Sequence, residues 1–311
     1  MSIRPNVFPD ALSAILSKLG LEAEIFMQAD LCGEWAMDTS GFRKVPFHLV
    51  EQGTGWLHGA DTEQAPQLLG SGDFVVFPHN AVHCIASGFD RPPAEIMNQI
   101  PVDPKGRITS LLCGFFEFRN RSAWPLLDSL PDVVVLNLKE SGYQHSAYPL
   151  VQLMISELKQ NRPGKGEALN KLAYLLFIQV LRIQVEAGTS VGLLSALADK
   201  QIGHVLNLLH VQYSRNWSVA DLAKEVAISR SVFSERFVHM VGKTPMRYLA
   251  EWRMLEASDM LRTTDSSIAT IAENVGYGSE MAFRKAFRKI TGQTPGTVRR
   301  QSKDIGPARR P

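Results

Sequence analysis

Cysteine is scarce in this chain: only Cys32, Cys84 and Cys113 stand among 311 residues. Three thiols cannot all pair within one chain, and their wide spacing matches no disulfide framework, so reduced thiols in a cytoplasmic setting are expected. Long apolar runs are missing too. The longest, LAYLLFIQVL from Leu172 to Leu181, falls short of the roughly eighteen residues a bilayer crossing needs, and no membrane span is expected. The N-terminus, MSIRPNVFPDALSAIL, lacks the basic start, continuous apolar core and small-residue cleavage site of an export signal. Net charge is almost absent, at +2. What is present is an ordinary 45% of hydrophobic residues, which excludes disorder as the main state and leaves room for two buried cores.

The small total charge conceals an asymmetry. Residues 1–200 carry 16 Lys and Arg against 21 Asp and Glu, whereas residues 201–311 carry 17 against 10. A basic C-terminal third favours a polyanion; charge alone would suit DNA, RNA or an acidic membrane surface.

Texture also changes along the chain. Short apolar runs such as Phe47–Val50 and Asp73–Pro78, broken by Gly, Pro and Asn, read as strands of a small antiparallel barrel or sandwich, preceded by a helix at Pro9–Leu19. From Leu150 the period becomes helical, with a second helix at Ala168–Val185 after the loop NRPGKG. Glu186–Gly192 reads as a hinge. Helices follow to about Arg300, and the tail KDIGPARRP reads as loose. The expected fold class is α+β in two domains. Its parts are a β domain at 1–140, a helical connector at 141–192, an all-α domain at 193–300 and a flexible tail at 301–311.

An internal repeat decides the class of the C-terminal part. Phe233, Phe237, Gly242, Thr244 and Pro245 recur fifty positions later as Phe283, Phe287, Gly292, Thr294 and Pro295. SVADLAKEVAIS from Ser218 matches SIATIAENVGYGS from Ser267 at an offset of 49, which implies one extra residue in the second turn. Each copy has the grammar of a helix-turn-helix. Ser218 and Ser229 can cap two helices, Val219, Leu222, Ala223 and Val226 form an apolar stripe, and Gly276 suits a turn needing positive φ. The Phe pairs read as core. The outward positions are Arg230, Ser231, Ser234 and Glu235 on the first recognition helix; on the second they are Ser279, Glu280, Met281, Arg284, Lys285 and Arg288. Arginine can bridge guanine acceptors, serine can donate or accept, and Lys or Arg further along can meet phosphates. Glu235 would repel phosphate unless it accepts from cytosine or orients Arg236. Between the copies, a helix from Pro245 to Arg262 would span about 27 Å. That approaches the helical repeat of B-DNA, so the two recognition helices could enter successive major grooves.

Ala198–Arg300, with SVADLAKEVAISRSVFSERFVHMVGKTPMRYL, WRMLEASDML and IAENVGYGSEMAFRKAFRKITGQTP, resembles the AraC/XylS family of bacterial transcription regulators. The resemblance implies a reader of double-stranded operator DNA, with RNA polymerase as a further partner, and an attached domain that senses a signal or holds a homodimer. LLGSGDFVVFPHNAVHCIA resembles the second cupin motif through Gly72, Pro78 and His83, with Asn80 where glycine is usual. Together with GEWAMD, FHLVEQGTGWL, LLCGFFEF and PLLDSLPDVVVL, it resembles the cupin-like sensor of one AraC subgroup over most of residues 8–138. The first cupin motif's paired histidines and glutamate are missing.

A metal-dependent cupin enzyme fused to a DNA anchor is the alternative. It needs three or four converging ligands around Zn²⁺ or Fe²⁺, for which His48, His79, His83 and Cys113 are the candidates. Satisfied histidines without metal are the plainer reading. Two other signals are open: a small organic effector walled by Trp35, Trp56 and Phe side chains, or an oxidant linking Cys32 to Cys113. The apolar helices between Leu150 and Val185 would either pair two chains or cover the barrel.

Overall fold

The computed structural model describes residues 10–41, 44–61, 65–99, 108–118, 124–137, 147–160, 162–188 and 192–304. The chain divides into two compact units, Leu19–Leu194 and Met1–Lys18 with Ser195–Pro311.

The first unit contains two antiparallel sheets. Strands β1 (Leu21–Leu31), β8 (Thr109–Phe118), β3 (Val45–Gln52), β6 (Asp73–Val76) and β9 (Val134–Asn137) form one, in the order β1-β8-β3-β6-β9. The other is β2 (Ala36–Met37), β7 (His83–Ala86), β4 (Thr54–Gly59) and β5 (Gln67–Gly70), in the order β2-β7-β4-β5. A 3₁₀ turn at Ala94–Ile96 and a short helix α2 (Trp124–Leu127) lie between strands. The inward faces meet in one core, with Val50, Val75, Leu111 and Cys113 from the larger sheet and Leu57 and Ile85 from the smaller. Of the barrel or sandwich expected, the sheets form an unclosed sandwich: the larger keeps β1 and β9 as edges, and no ladder among the described residues joins it to the smaller one. Asn80 does take a left-handed φ of 53°.

Val45 to Val50 are buried on both faces, because helices cover the outer side of their sheet. Helix α3 (Ala147–Lys159) packs on α4 (Lys165–Glu186), and α4 lays Phe177 against Phe116, 5.0 Å between ring centroids. Phe116 in turn lies 4.5 Å from Phe47. Gly114 has to be glycine here, since the Phe47 ring fills the space of a Cβ. By length and composition α4 is apolar enough to cross a membrane, which the count of consecutive apolar residues missed. Its Leu169, Ala173, Leu176, Phe177, Val180 and Leu181 are nevertheless buried within this unit. Helices α3 and α4, which the sequence suggests as a connector, lie in the same compact unit as the two sheets.

The second unit is helical: α1 (Ala11–Lys18), α6 (Lys200–Val211), α7 (Val219–Glu225), α8 (Arg230–Val241), α9 (Pro245–Thr263), α10 (Ile268–Asn274), α11 (Glu280–Thr291) and α12 (Pro295–Asp304). Helix α5 (Gly192–Ala198) leads into it. Unlike the predicted boundary at residue 140, α1 groups with this unit, where Lys18 Nζ lies 3.0 Å from Glu256 and 2.9 Å from Asp259 of α9. Helix α12 carries the chain to Asp304, past the predicted start of the tail; residues 305–311, and residues 189–191 of the predicted hinge, lie outside the described residues.

Candidate nucleic-acid interface and the buried histidine cluster

Each module is assembled by short-range rules. Ser218 and Asp221 form a reciprocal capping box at the start of α7, and Ser267 accepts from the Thr270 N–H at the start of α10. Ser229 caps α8 through the Val232 N–H, and Ser279 caps α11 through the Ala282 N–H at 3.2 Å. Gly242 and Gly292, at φ 76° and 75°, close α8 and α11 in the left-handed conformation. The turns between paired helices also use it, with Ala227 at φ 54° and Gly276 at 81°.

Phe233, Phe237, Phe283 and Phe287 are all fully buried. Phe283 and Phe287 pack with Met254, Ala257 and Leu261 of α9, while Phe237 meets Tyr248 from the same helix edge-on at 6.0 Å. One helix thus supports both modules.

The faces opposite these rings carry the predicted contacts. On α8, Arg230, Ser231 and Glu235 are exposed and Ser234 is half-buried; on α11, Met281, Arg284, Lys285 and Arg288 are exposed. The suggestion that Glu235 orients Arg236 is corrected. Arg236 instead donates to Asp199 and Gln201, both at 2.5 Å, at the head of α6. Burial raises the Asp199 pKa, but the Ile202 and Gln201 N–H groups and Arg236 outweigh it and hold the carboxyl below its ordinary value. Glu235 therefore remains on the open face. On α11, Arg284 is engaged: its Nε and Nη2 each lie 2.6 Å from Glu280 Oε1.

In the sandwich, strand register brings three of the four candidate ligands together. His48 sits opposite both Val75 and Cys113 in the larger sheet, while His83 opens β7 of the smaller. His48 Nδ1 lies 3.0 Å from Cys113 Sγ, and Thr39 Oγ1 lies 3.0 Å from Nε2 of each histidine. His79 turns away to Asp132, at 2.8 Å, and the Leu127 carbonyl.

The proton positions follow from valence. His83 Nδ1 faces the Ala81 carbonyl at 2.6 Å, which can only accept, so Nδ1 is the protonated nitrogen and Nε2 accepts. Thr39 then donates to His83 and accepts from His48 Nε2–H, leaving His48 Nδ1 to accept from the Cys113 thiol. The chain runs one way and leaves no lone pair on either ring idle. Burial, with His83 close by, pushes the His48 pKa down to about 3; burial also lowers that of His83 and raises that of the Cys113 thiol. All three groups are neutral.

A metal does not fit this donor set. The two facing nitrogens, His48 Nε2 and His83 Nε2, lie 3.3 Å apart, but Cys113 sits on the opposite edge of the His48 ring. Among the described residues no three His, Cys, Asp or Glu side chains are placed to hold an ion. A Cys32–Cys113 link fails as well. Cys113 pairs with Met27 across β1 and β8, five residues from Cys32, so the two lie far beyond the roughly 7 Å limit between Cα atoms that a disulfide can bridge.

A cupin family model matches residues 10–186, and a helix-turn-helix domain model matches residues 222–301. A putative AraC-like transcription regulator of Streptomyces lividans is 30% identical over 300 residues, covering 94% of this chain and 98% of that protein. The chain belongs to the AraC-like family of transcription regulators. Among other relatives, the regulator AlkR of Acinetobacter baylyi is 26% identical across 94% of this chain and 100% of its own. The solved DNA-binding domain of AdpA, in complex with a target DNA, is 29% identical over 35% of this chain and 97% of that domain, with a TM-score of 0.33.

Within this AraC-like regulator, sequence reasoning missed several partners. Thr39, which joins the two histidines, bears no motif. Asp199 and Gln201, which hold Arg236, lie outside both repeats. His210 also went unnoticed: its Nε2 lies 2.7 Å from the Tyr248 hydroxyl, and its ring stacks on Trp252 at 3.7 Å. Burial pushes its pKa down to about 3. Its only sequence signal is an i, i+4 relation to apolar positions of α6.

Proposed function

We propose that this AraC-like regulator works in the cytoplasm as a homodimer on double-stranded operator DNA, each chain placing α8 and α11 in successive major grooves. What carries the reading is the duplication itself: two modules share one core plan, and both present exposed polar and charged side chains opposite it. The nineteen residues of α9 give about 28 Å of rigid helix between them, near the 34 Å repeat of the duplex. Arg230, Ser231, Ser234, Glu235, Ser279, Glu280, Met281, Arg284, Lys285 and Arg288 supply the contacts. Those near each helix start meet bases, and Lys285 and Arg288 meet phosphates.

The N-terminal sandwich takes the signal, a small organic molecule being favoured because its polar interior is neutral and a Cys32–Cys113 link is out of reach. RNA polymerase is the downstream partner. The chain is not an enzyme in this reading, since the inward histidines are spent on Cys113, Thr39 and Ala81. Exposed Leu153 and Leu175, on α3 and α4, support pairing of two chains there. Footprinting of the full chain tests the reading. Protection of two segments one helical turn apart on one face is expected per chain, and a single protected segment would refute it.

A further inference from the structure

The two recognition helices share their cores but not their reading edges. Counting fifty positions between the copies, Ser231 corresponds to Met281, Ser234 to Arg284 and Glu235 to Lys285. The short neutral or acidic groups of α8 are thus replaced on α11 by longer ones, one apolar and two cationic. Met281 is the most exposed large apolar side chain among the described residues, at 81%. It occupies the first turn of α11, directly after Glu280 and two residues after the Ser279 cap. It lies exposed beside the Glu280–Arg284 pair, and the exposed cations Arg284, Lys285 and Arg288 follow it along the helix, Arg288 in the last turn.

The geometry points to Met281 as a specificity-determining residue that reads the C5-methyl group of a thymine. The inference rests on the proposal that α11 enters the major groove. Along a base-pair edge in that groove, hydrogen-bonding groups alternate with one apolar feature, the thymine methyl. An unbranched thioether in the first turn of a recognition helix has the reach and polarity for that feature and for no other on the edge. Three residues of helix advance about 4.5 Å along its axis, close to the 3.4 Å rise between base pairs. The thymine read by Met281 therefore neighbours the base pair met by Arg284. Ser231 cannot make this contact, so the half-sites under α8 and α11 differ in sequence, although the modules that read them are copies.

Replacing thymine by deoxyuridine removes the methyl group and nothing else. Operators are first selected by the full chain from a random duplex library, and each thymine is then exchanged singly. In the α11 half-site, one exchange is expected to weaken wild-type binding about fourfold, the worth of one buried carbon. Met281→Ala should bind the thymine operator more weakly by a similar factor and be indifferent to that same exchange, with an unchanged urea midpoint. Met281→Ala keeping every deoxyuridine sensitivity of the wild type would overturn the inference and leave the two-groove reading standing. Failure of the full chain to select or protect any duplex would overturn both.

Discussion

Glu280 and Arg284 form a closed pair one turn apart on α11, with Arg284 Nε 2.6 Å from Glu280 Oε1. Both side chains are partly exposed, so the pair contributes little to stability. In the proposed reading its consequence is for recognition: the carboxylate would aim the guanidinium before DNA arrives. Arg284→Ala should weaken operator binding by about 1–3 kcal/mol and relax preference at one base pair. A uniform loss over all sequences, seen by titrating a panel of single-base operator variants, would make Arg284 a phosphate contact instead.

The phenylalanines behave differently, because they support the modules without touching DNA. Phe237→Ala and Phe287→Ala each leave a cavity under a recognition helix and should cost about 3–5 kcal/mol. Urea unfolding of the full chain should show a lower midpoint, with binding lost against every sequence alike.

The two turns test the backbone argument. At Gly276, φ is 81° and the space of a Cβ is taken by the Ser214 carbonyl oxygen and the Arg253 guanidinium. Gly276→Ala should therefore cost more than the roughly 1–2 kcal/mol of left-handed strain alone. Ala227 already bears such strain at φ 54°. Ala227→Gly should be neutral or stabilising by up to about 1 kcal/mol, because the relieved strain is partly offset by a more flexible unfolded chain. Thermal midpoints of the two variants should move in opposite directions, or only the first should move.

Acid should destabilise both units. His48 in the sandwich and His210 in the helical unit are held down at about 3 by burial, from an ordinary 6.5. Between these values the unfolded chain binds protons that the folded chain refuses, so stability falls as pH drops below about 6.5 and is flat above it. Each histidine contributes up to about 1.4 kcal/mol per pH unit in that window. His83, shifted the same way, adds to the sandwich. Urea midpoints at pH 7.5 and 5.5 measure the slope, and His48→Leu should make it shallower for the first unit, leaving the part due to His83.

The thiols should respond unequally. Cys32 is half-buried, whereas Cys84 and Cys113 are buried and burial raises the pKa of each. Iodoacetamide applied to the native chain should label Cys32 first, and Cys113 only on unfolding. Mass spectrometry after oxidant treatment should find no Cys32–Cys113 link; finding one would mean that the β1–β8 ladder parts in solution.

The contrast between the two units explains what could be read in advance. Ser218, Ser229, Ser267 and Ser279 act on N–H groups three residues away, and the Phe pairs recur at a single helical spacing, so the helical modules were legible from local pattern. The histidine cluster was legible only as a set of candidates. His48 and His83 lie 35 residues apart, and Cys113 lies 65 beyond His48. Whether they meet depends on strand register, where a slip of one residue turns every side chain to the opposite face. His79, one residue past the turn proline, lies in no ladder, and its ring is set by Asp132 and the Leu127 carbonyl instead.

Taken alone, the order of residues determined the duplicated helix-turn-helix, its caps, its buried rings and the residues of its open faces, because these depend on contacts within a few turns of chain. Tertiary structure decided the rest. Between barrel and sandwich, packing chose two open sheets, and α1 joined the helical unit through Lys18. Arg236 was drawn to Asp199, and both inward histidines were consumed in a neutral chain with Thr39 and Cys113. Each of these outcomes pairs groups far apart in sequence, and only the packed chain sets which donors and acceptors come within 3 Å of each other.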